Sequence, residues 1–432
     1  MPIPLKWVAG LTLSGSDFNN VRLYGPSKYI IFLENGLYYA YAQDISGTDS
    51  SGSAYATIKN TVTGSLTGIV FDLILNTIEG YDSGILKNSR DMLEKNPLSY
   101  IIFVDSGIYY AKNNFTGIVS FSGSTASTVI NSATAALPTK GSIIFVGTGS
   151  ILVTNTIGLS GSITLKNNNE TLIYASTDIP IFQIQGNYNI LDGLLLSSSV
   201  ASPTKELVKL CGGNYNTIKG CTFQSAYYGI LISGSLSVGG YNQYATISNN
   251  YFISNSGSGL YLDGVTNGIS FANIVNNYFQ EGGSIAHIYS SKGVECNING
   301  NYITDSNGYG ILISGSLTQS LHIGGNNIID NGIGGIRILN SKYNQISDNY
   351  LMNNNVIGVA DEIYVSGSYN MVTSNYIYHY KDEATYCINI ETGSYNSAYT
   401  NVLCKFYAAA DYWRNSGSST QSGSNPMFMW NA

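Results

Sequence analysis

Formal charge is what this 432-residue sequence has least of. Asp, Glu, Lys and Arg together make up 10% of it, against roughly a quarter in an ordinary soluble protein. That excludes a surface laced with ion pairs, so hydroxyls and amides must cover most of the exterior. The few charges sum to −7, with a pI near 4.9. Lys and Arg form no cluster, which argues against a nucleic-acid partner. No apolar run approaches the roughly 18 to 20 residues of a membrane span. Helical 3.6-residue spacing is missing from the repeating part of the chain. The five cysteines, Cys211, Cys221, Cys296, Cys387 and Cys404, show no CxxC or metal spacing. Their odd count leaves at least one unpaired or intermolecular, and they read as small buried hydrophobes. The opening MPIPLKWVAGLTLSGS lacks a basic segment followed by an apolar one, so no secretory signal is visible. An extracellular or virion-surface home would then need another delivery route, such as virion assembly and lysis. An intracellular home explains the missing signal as simply.

Glycine (48) and tyrosine (35) are abundant instead. Between Ile190 and Leu403 the pattern Ile-x-x-Asn-x-apolar returns nine times. Its middle positions are Gly193, Cys221, Asn250, Asn277, Asn301, Asn326, Asn349, Asn375 and Asn401, at steps of 23 to 29 residues. A fixed internal order at a period in the twenties is the mark of a solenoid. The apolar slots hold Ile, Phe, Leu and Val in short runs between Gly, Asn and Ser, which are strand residues between turn residues. At about 3.3 Å per residue, such a coil fits three short strands and three bends, bonded to its neighbours at about 4.8 Å. The expected fold is all-β: a right-handed parallel β-helix of nine or more coils. Asn amides stacked at one bend would bond each coil to the next.

These columns, together with the segment Thr125 to Lys166, resemble the pectin-lyase-like β-helix superfamily, which includes polysaccharide lyases, polygalacturonases, and viral tailspikes and fibres. That segment reads as a short helix, TASTVINSATAAL, then Pro-Thr-Lys-Gly, then the strands SIIFVGTGSILVT and GSITLK. The resemblance covers roughly residues 120 to 405. It implies the fold strongly and the activity weakly, because one fold hosts catalysts and scaffolds alike.

The N-terminal third contains a duplication. Residues 28–60 align without a gap on residues 99–131. Each copy reads as a hairpin, turning at Glu34-Asn35-Gly36 or Asp105-Ser106-Gly107, followed by a short helix with Ser53 or Ser124 as N-cap. Between them, residues 83–96 read as an amphipathic helix. Four regions are therefore expected: an attachment or docking module over 1–98, a second copy over 99–138 capping the solenoid, the β-helix over 139–405, and a C-terminal cap over 406–432. Solenoids need caps because a bare end coil exposes core and strand edges.

Two outer features are candidates for function. Four residues after the bend stand Glu281, Asp305 and Asp330 on consecutive coils, about one coil step apart. Carboxylates so placed serve as turn residues, as a Ca²⁺ site or as a catalytic pair. The second feature is an outward row on the strand around Gly-Ile-Leu-Ile: Leu231, Tyr261, Leu312, Arg337, Tyr364 and Asn389, with His287 on it. Aromatic and Arg side chains on a flat sheet stack on sugar rings or pack on a neighbouring subunit. Tyr251, Tyr278, Tyr302, Tyr350 and Tyr376, one residue after the bend, form another outward stripe. His322 reads as an outward ladder residue, and His379 stands in the same column as Glu281, Asp305 and Asp330, four residues after the bend.

The polygalacturonase motifs Asn-Thr-Asp, Asp-Asp, Gly-His-Gly and Arg-x-Lys are all missing. Arg337 is the only arginine between Asp192 and Lys405, so no base is evident beside the carboxylate column. The leading expectation is a virion or cell-surface appendage, resembling tailspikes and fibres, that binds a host-surface glycan through Tyr261, His287, Arg337, Tyr364 and Asn389. It would be a homo-oligomer, a trimer in the tailspike manner, and residues 1–98 would join it to other virion or surface proteins. It would need no cofactor, Ca²⁺ excepted. A polysaccharide lyase or glycoside hydrolase using Glu281, Asp305 and Asp330, and a purely structural β-helix, are the alternatives.

Overall fold

The computed structural model of the protein describes residues 28–34, 37–43, 99–114, 116–137, 140–147, 149–168, 171–233, 242–263, 269–316, 318–356, 361–379, 386–405, 413–416, 421–422, 425 and 427–429. Two compact units divide the chain, residues 1–96 and 97–432. In the first, β1 (Lys28–Glu34) and β2 (Leu37–Gln43) form an antiparallel hairpin. Its second-copy counterpart, β3 (Ser99–Asp105) and β4 (Ile108–Asn113), pairs in the same register, Asp105 opposite Ile108. There Ser106 and Gly107 have φ of 50° and 78°, the left-handed pair that a two-residue hairpin turn demands.

The second unit is the expected all-β parallel solenoid. Each coil lends one short strand to each of three sheets, which hold 15, 12 and 11 strands among the described residues. Strands this short, with inward apolar residues flanking outward polar ones, cannot bury their apolar row alone. They bury it on the coils above and below. Register places like on like. Ile218, Ile247, Ile274, Ile298, Ile323 and Ile346 follow one another in the 15-stranded sheet. Phe223, Phe252 and Phe279 do so in the 12-stranded sheet, their rings stacked at 5.0 and 4.5 Å.

The Asn column works as a ladder. Each Asn Oδ1 accepts the backbone N–H of the Asn one coil earlier, from Asn250 through Asn401 to Asn425, at 2.9–3.0 Å. The side-chain amides add a second rung of bonds. These side chains are almost wholly buried, where an unsatisfied backbone group is expensive. Shorter Asn columns close the other two bends, at Asn331 and Asn354 and at Asn344, Asn370 and Asn396.

Several expectations need correction. In the first coil Leu191, Leu194 and Leu196, not Ile190, Gly193 and Leu195, occupy the repeat columns, since Leu191 pairs with Ile218 and Leu196 with Phe223. Three leucines in a row make a one-residue slip invisible to pattern matching. The helix α1 (Ala126–Ala136) has Thr125, not Ser124, at its N-cap, without a side-chain bond. It buries Ala126, Val129, Ile130 and Ala133, and Asn131 bonds Thr156 O and Gly158 N–H of the first coil. The hairpin ahead of it adds to the 15-stranded sheet, with β3 pairing parallel to β6 (Lys140–Phe145).

The C-terminal segment is not only a cap. Residues 413–415, 421–422 and 427–429 add a strand to each of the three sheets, and Asn425 continues the ladder. Ser422 replaces the usual apolar residue at the first repeat position there, which hid the coil. None of the five cysteines, all among the described residues, forms a disulfide. Cys221 accepts the Leu194 N–H in the Asn column, and burial pushes its thiol up to about 12. The helices expected over 83–96 and after Ser53, and the segment 406–412, lie outside the described residues.

Candidate functional site

The 11-stranded sheet carries the outward row. In each strand two inward apolar residues flank one that must face out, as Ile336 and Ile338 flank Arg337. Lateral pairing orders the row as Lys209, Leu231, Tyr261, Tyr289, Leu312, Arg337, Tyr364, Asn389 and Arg414. Its N-terminal part is aromatic. Tyr261 stacks on Tyr289 at 4.7 Å and leans on Tyr228 at 5.0 Å. The Tyr261 hydroxyl lies 3.4 Å from Ser291 Oγ.

The C-terminal part is a polar cluster built on Arg337. Its guanidinium lies 5.2 Å from the Tyr309 ring and 4.9 Å from the Tyr364 ring, within cation–π range of both. Arg337 Nη1 donates to the Tyr309 hydroxyl, and the Tyr364 hydroxyl donates to Glu391 Oε2. Asp361 accepts from Tyr386 N–H and from Asn389 Nδ2, each at 2.8 Å. Burial pushes the Asp361 carboxyl up, and those two donors with Arg337 and Arg414 pull it part of the way back. Arg414 lies over the Tyr386 ring at 5.9 Å. Arg337 Nε and Asn389 Oδ1 are buried and have no hydrogen-bond partner. Unsatisfied buried polar atoms are uncommon, and here a donor and an acceptor sit two coil steps apart, about 9.6 Å.

The structure thus brings Arg337, Tyr364 and Asn389 into one cluster and places Tyr261 farther along the same row. His287 does not belong there. It is 1% exposed, faces the core beside Phe279, and donates from Nε2 to Thr304 O at 2.8 Å. Desolvation pulls its imidazole down to about 4. Tyr289 takes the outward slot, because the pairing aligns Tyr289 with Tyr261 and Leu312. His379 likewise turns inward, its Nδ1 3.0 Å from the buried Glu362 Oε1. His322 faces out as expected, half-buried, with Nδ1 3.1 Å from Asn297 Oδ1.

Glu281, Asp305 and Asp330 lie at the bend that leads from the 12-stranded sheet into the 11-stranded one, off the row itself. Their φ values are 53°, 56° and 53°, shared by Ser225, Ser254 and Asn353 in the same column. Short polar residues tolerate that left-handed corner best. Glu281 accepts from Ser254 Oγ and Asp305 from Thr304 Oγ1. No group of three or more His, Cys, Asp or Glu side chains placed to hold a metal ion occurs among the described residues. None of the helices described is long and apolar enough to cross a membrane.

Sequence reasoning missed Asp361 and Glu391, which interrupt no repeat, and a second aromatic ladder. Tyr188, Tyr215, Tyr244 and Phe271 stack at 5.1, 4.9 and 4.8 Å. Tyr343, Tyr369 and Tyr395 continue it at 5.0 and 5.1 Å. Its signal was the recurrent Tyr-Asn three or four residues ahead of the inward apolar position. The expected stripe one residue after the Asn column is present, with Tyr278 stacked on Tyr302 at 5.1 Å and Tyr350 on Tyr376 at 5.5 Å.

Residues 236–403 match the protein family described as a right handed beta helix region. No curated protein sequence matches the chain. Among solved structures, the DFA-IIIase of Arthrobacter chlorophenolicus A6 superposes with a TM-score of 0.54 at 11% identity, over 69% of this chain and 83% of that one. A tailspike protein of E. coli bacteriophage HK620, in complex with a pentasaccharide, gives 0.52 at 10% identity, over 70% of this chain and 60% of the other. The Dettilon tailspike protein gives 0.44 at 13%, over 69% and 66%. The matched part is thus under two thirds of either tailspike chain. At such identities the likeness establishes the fold.

Proposed function

Taking as premise that the chain is a right-handed parallel β-helix of the pectin-lyase-like fold, we propose that it is a glycan-binding protein of a virion or cell surface. Its binding face is the outward row of the 11-stranded sheet. The observation that carries this reading is the row itself, where Tyr261 stacked on Tyr289 shares one face with Arg337 held between Tyr309 and Tyr364. A sugar offers both a flat aliphatic ring face and hydroxyls that donate and accept, which matches aromatic rings beside a guanidinium and phenolic hydroxyls. The sparsely charged surface favours a ligand recognised by stacking and hydroxyl bonds. The fold's solved relatives include a tailspike with a bound pentasaccharide, which agrees with this reading. We also assign to this proposal a homo-oligomer, a trimer in the tailspike manner, and docking to other surface proteins through residues 1–98.

Glycan cleavage is the second reading. Asp361 favours it, since a carboxyl pushed up by burial is the kind that acts as a general acid near neutral pH, and Glu391 is a second carboxylate on the same face. Binding ranks first because both Asp361 oxygens already accept hydrogen bonds. Glu281, Asp305 and Asp330, as catalytic residues or a Ca²⁺ site, rank below it.

A glycan array with the full chain, paired with mass spectrometry of any shortened sugars, tests the proposal. Binding without products, lost in Arg337→Ala and Tyr364→Ala, is the expected result. Shortened products would replace binding with catalysis. An array without signal would leave a structural β-helix.

A further inference from the structure

The 15-stranded sheet has an outward face that resembles neither the Arg337 row nor an oligomer interface. Its two outward rows read Thr246, Asn273, Asn297, His322, Gln345, Met371 and Ser397, and Ser248, Val275, Asn299, Gly324, Ser347, Thr373 and Tyr399. Over this span His322 is the only titratable side chain in the first row and neither row holds an Asp, Glu, Lys or Arg; toward the N-terminus the second row continues into Lys219 and Asp192. An aromatic rail runs along each side of this strip, the Tyr188 ladder on one and the Tyr278 stripe on the other. Stacked ring on ring, the rails leave ring faces open only where a ladder is broken.

Both rails break at the same coil. Tyr302 and Tyr350 are each the pairing partner of Asn327, one coil on either side, and Asn327 is exposed. One rung of a stack spaced at 5.1 and 5.5 Å is therefore missing. On the opposite rail Glu295 and Ser320 stand between Phe271 and Tyr343. They share the left-handed φ of the rail, 53° and 56°, so the bend does not itself require aromatic residues. Between the two gaps the strip carries His322 and Gly324, the latter without a side chain.

We propose that the gap at Asn327 is a binding site for one pyranose ring of a neutral glycan, seated as the missing rung between Tyr302 and Tyr350. Two coil steps separate Tyr302 and Tyr350 along the axis, about 9.6 Å, which leaves room for one ring between them. A puckered sugar with its axial substituents fills the space. The neutral strip fits an uncharged chain whose hydroxyls meet Asn297, Asn299, His322 and Gln345. An apolar partner would meet mostly amides and hydroxyls, and a nucleic acid would find no cation in the rows beside the gap, the lysine of the second row, Lys219, lying several coils away. This site is independent of the Arg337 face.

The test is titration of cellohexaose, maltohexaose and mannohexaose against the full chain, read by saturation-transfer NMR. Asn327→Tyr rebuilds the missing rung without removing a buried group, so thermal unfolding should be unchanged. At least one hexasaccharide is expected to bind, with affinity falling about tenfold or more in Asn327→Tyr and in Tyr350→Ala while Arg337→Ala retains it. Binding that survives Asn327→Tyr, or no binding by any of the three, overturns the proposal. Binding lost only in Arg337→Ala overturns it too and supports the Arg337 face alone.

Discussion

Replacing Asn326 with alanine gives the sharpest test of how the coils are held together. Its Oδ1 accepts Asn301 N–H at 2.9 Å and Asn301 Nδ2 at 3.0 Å. Its own Nδ2 donates to Ile298 O and Asn349 Oδ1, both at 2.9 Å. The side chain is 0% exposed, so water cannot replace these partners. Four hydrogen bonds at about 1 kcal/mol net each give roughly 4 kcal/mol. The Asn301 N–H is left buried and unpaired, while Asn301 Nδ2 keeps Ile274 O and Asn299 O, so the cost should be no lower than about 3 kcal/mol. Asn327, the next residue, is exposed and stands outside the ladder, so Asn327→Ala should fall within about 0.5 kcal/mol of the parent protein. Urea unfolding followed by circular dichroism measures both, with an unchanged slope required for the comparison. A loss under about 1 kcal/mol in Asn326→Ala would refute the ladder as a source of stability. Equal losses at the two positions would refute the distinction between them.

Three further outcomes follow from the core and its titrating groups. Phe252→Ala, which removes the middle ring of the Phe223–Phe252–Phe279 stack, should cost about 3–5 kcal/mol in the same urea assay. Gly259→Ala places a Cβ 2.6 Å from Phe279 Cδ1, and overpacking of that kind should cost about 1–3 kcal/mol. His287 is held down to about 4 from 6.5, so the unfolded chain takes up a proton that the folded one refuses. Its contribution is intact above pH 6.5 and is lost as pH falls toward 4, by about 3 kcal/mol in all. Glu362 is shifted the other way, raised by burial above 4.5 despite its His379 and Asn354 bonds. It favours the folded state below pH 4.5, and that advantage disappears as pH rises through its folded value. The two groups act in opposite directions across this range. His287→Gln should remove the acid-side loss, and Glu362→Gln the loss on raising pH; curves identical to the parent would contradict both assignments.

Much of the fold was legible because a solenoid writes itself along one dimension. Ile247, Asn250 and Phe252 recur with the same internal spacing in Ile274, Asn277 and Phe279, and each side chain stacks on its own kind. The hairpin turn at Ser106-Gly107 was equally local. The Arg337 row was read for the same reason, since Ile-Arg-Ile fixes an outward side chain. Where local letters were ambiguous, reading failed. Leu194-Leu195-Leu196 fits two registers, and Ala286 to Ser290 offers both His287 and Tyr289 to the outside. Asp361 and Glu391 carry no periodic signal, and only the fold sets them beside the Arg337 cluster.

The sequence by itself determined the period, the inward columns and the amide ladder, because each depends on spacing within a single coil. Tertiary structure decided which outward side chains meet. That depends on lateral pairing between residues some 22 to 30 positions apart, across bends whose lengths differ from coil to coil. One residue more or less in a bend leaves every strand intact and moves its neighbour's partner to the other face. The place of Asn389 under Asp361 and the gap at Asn327 between Tyr302 and Tyr350 therefore exist only once the coils are stacked.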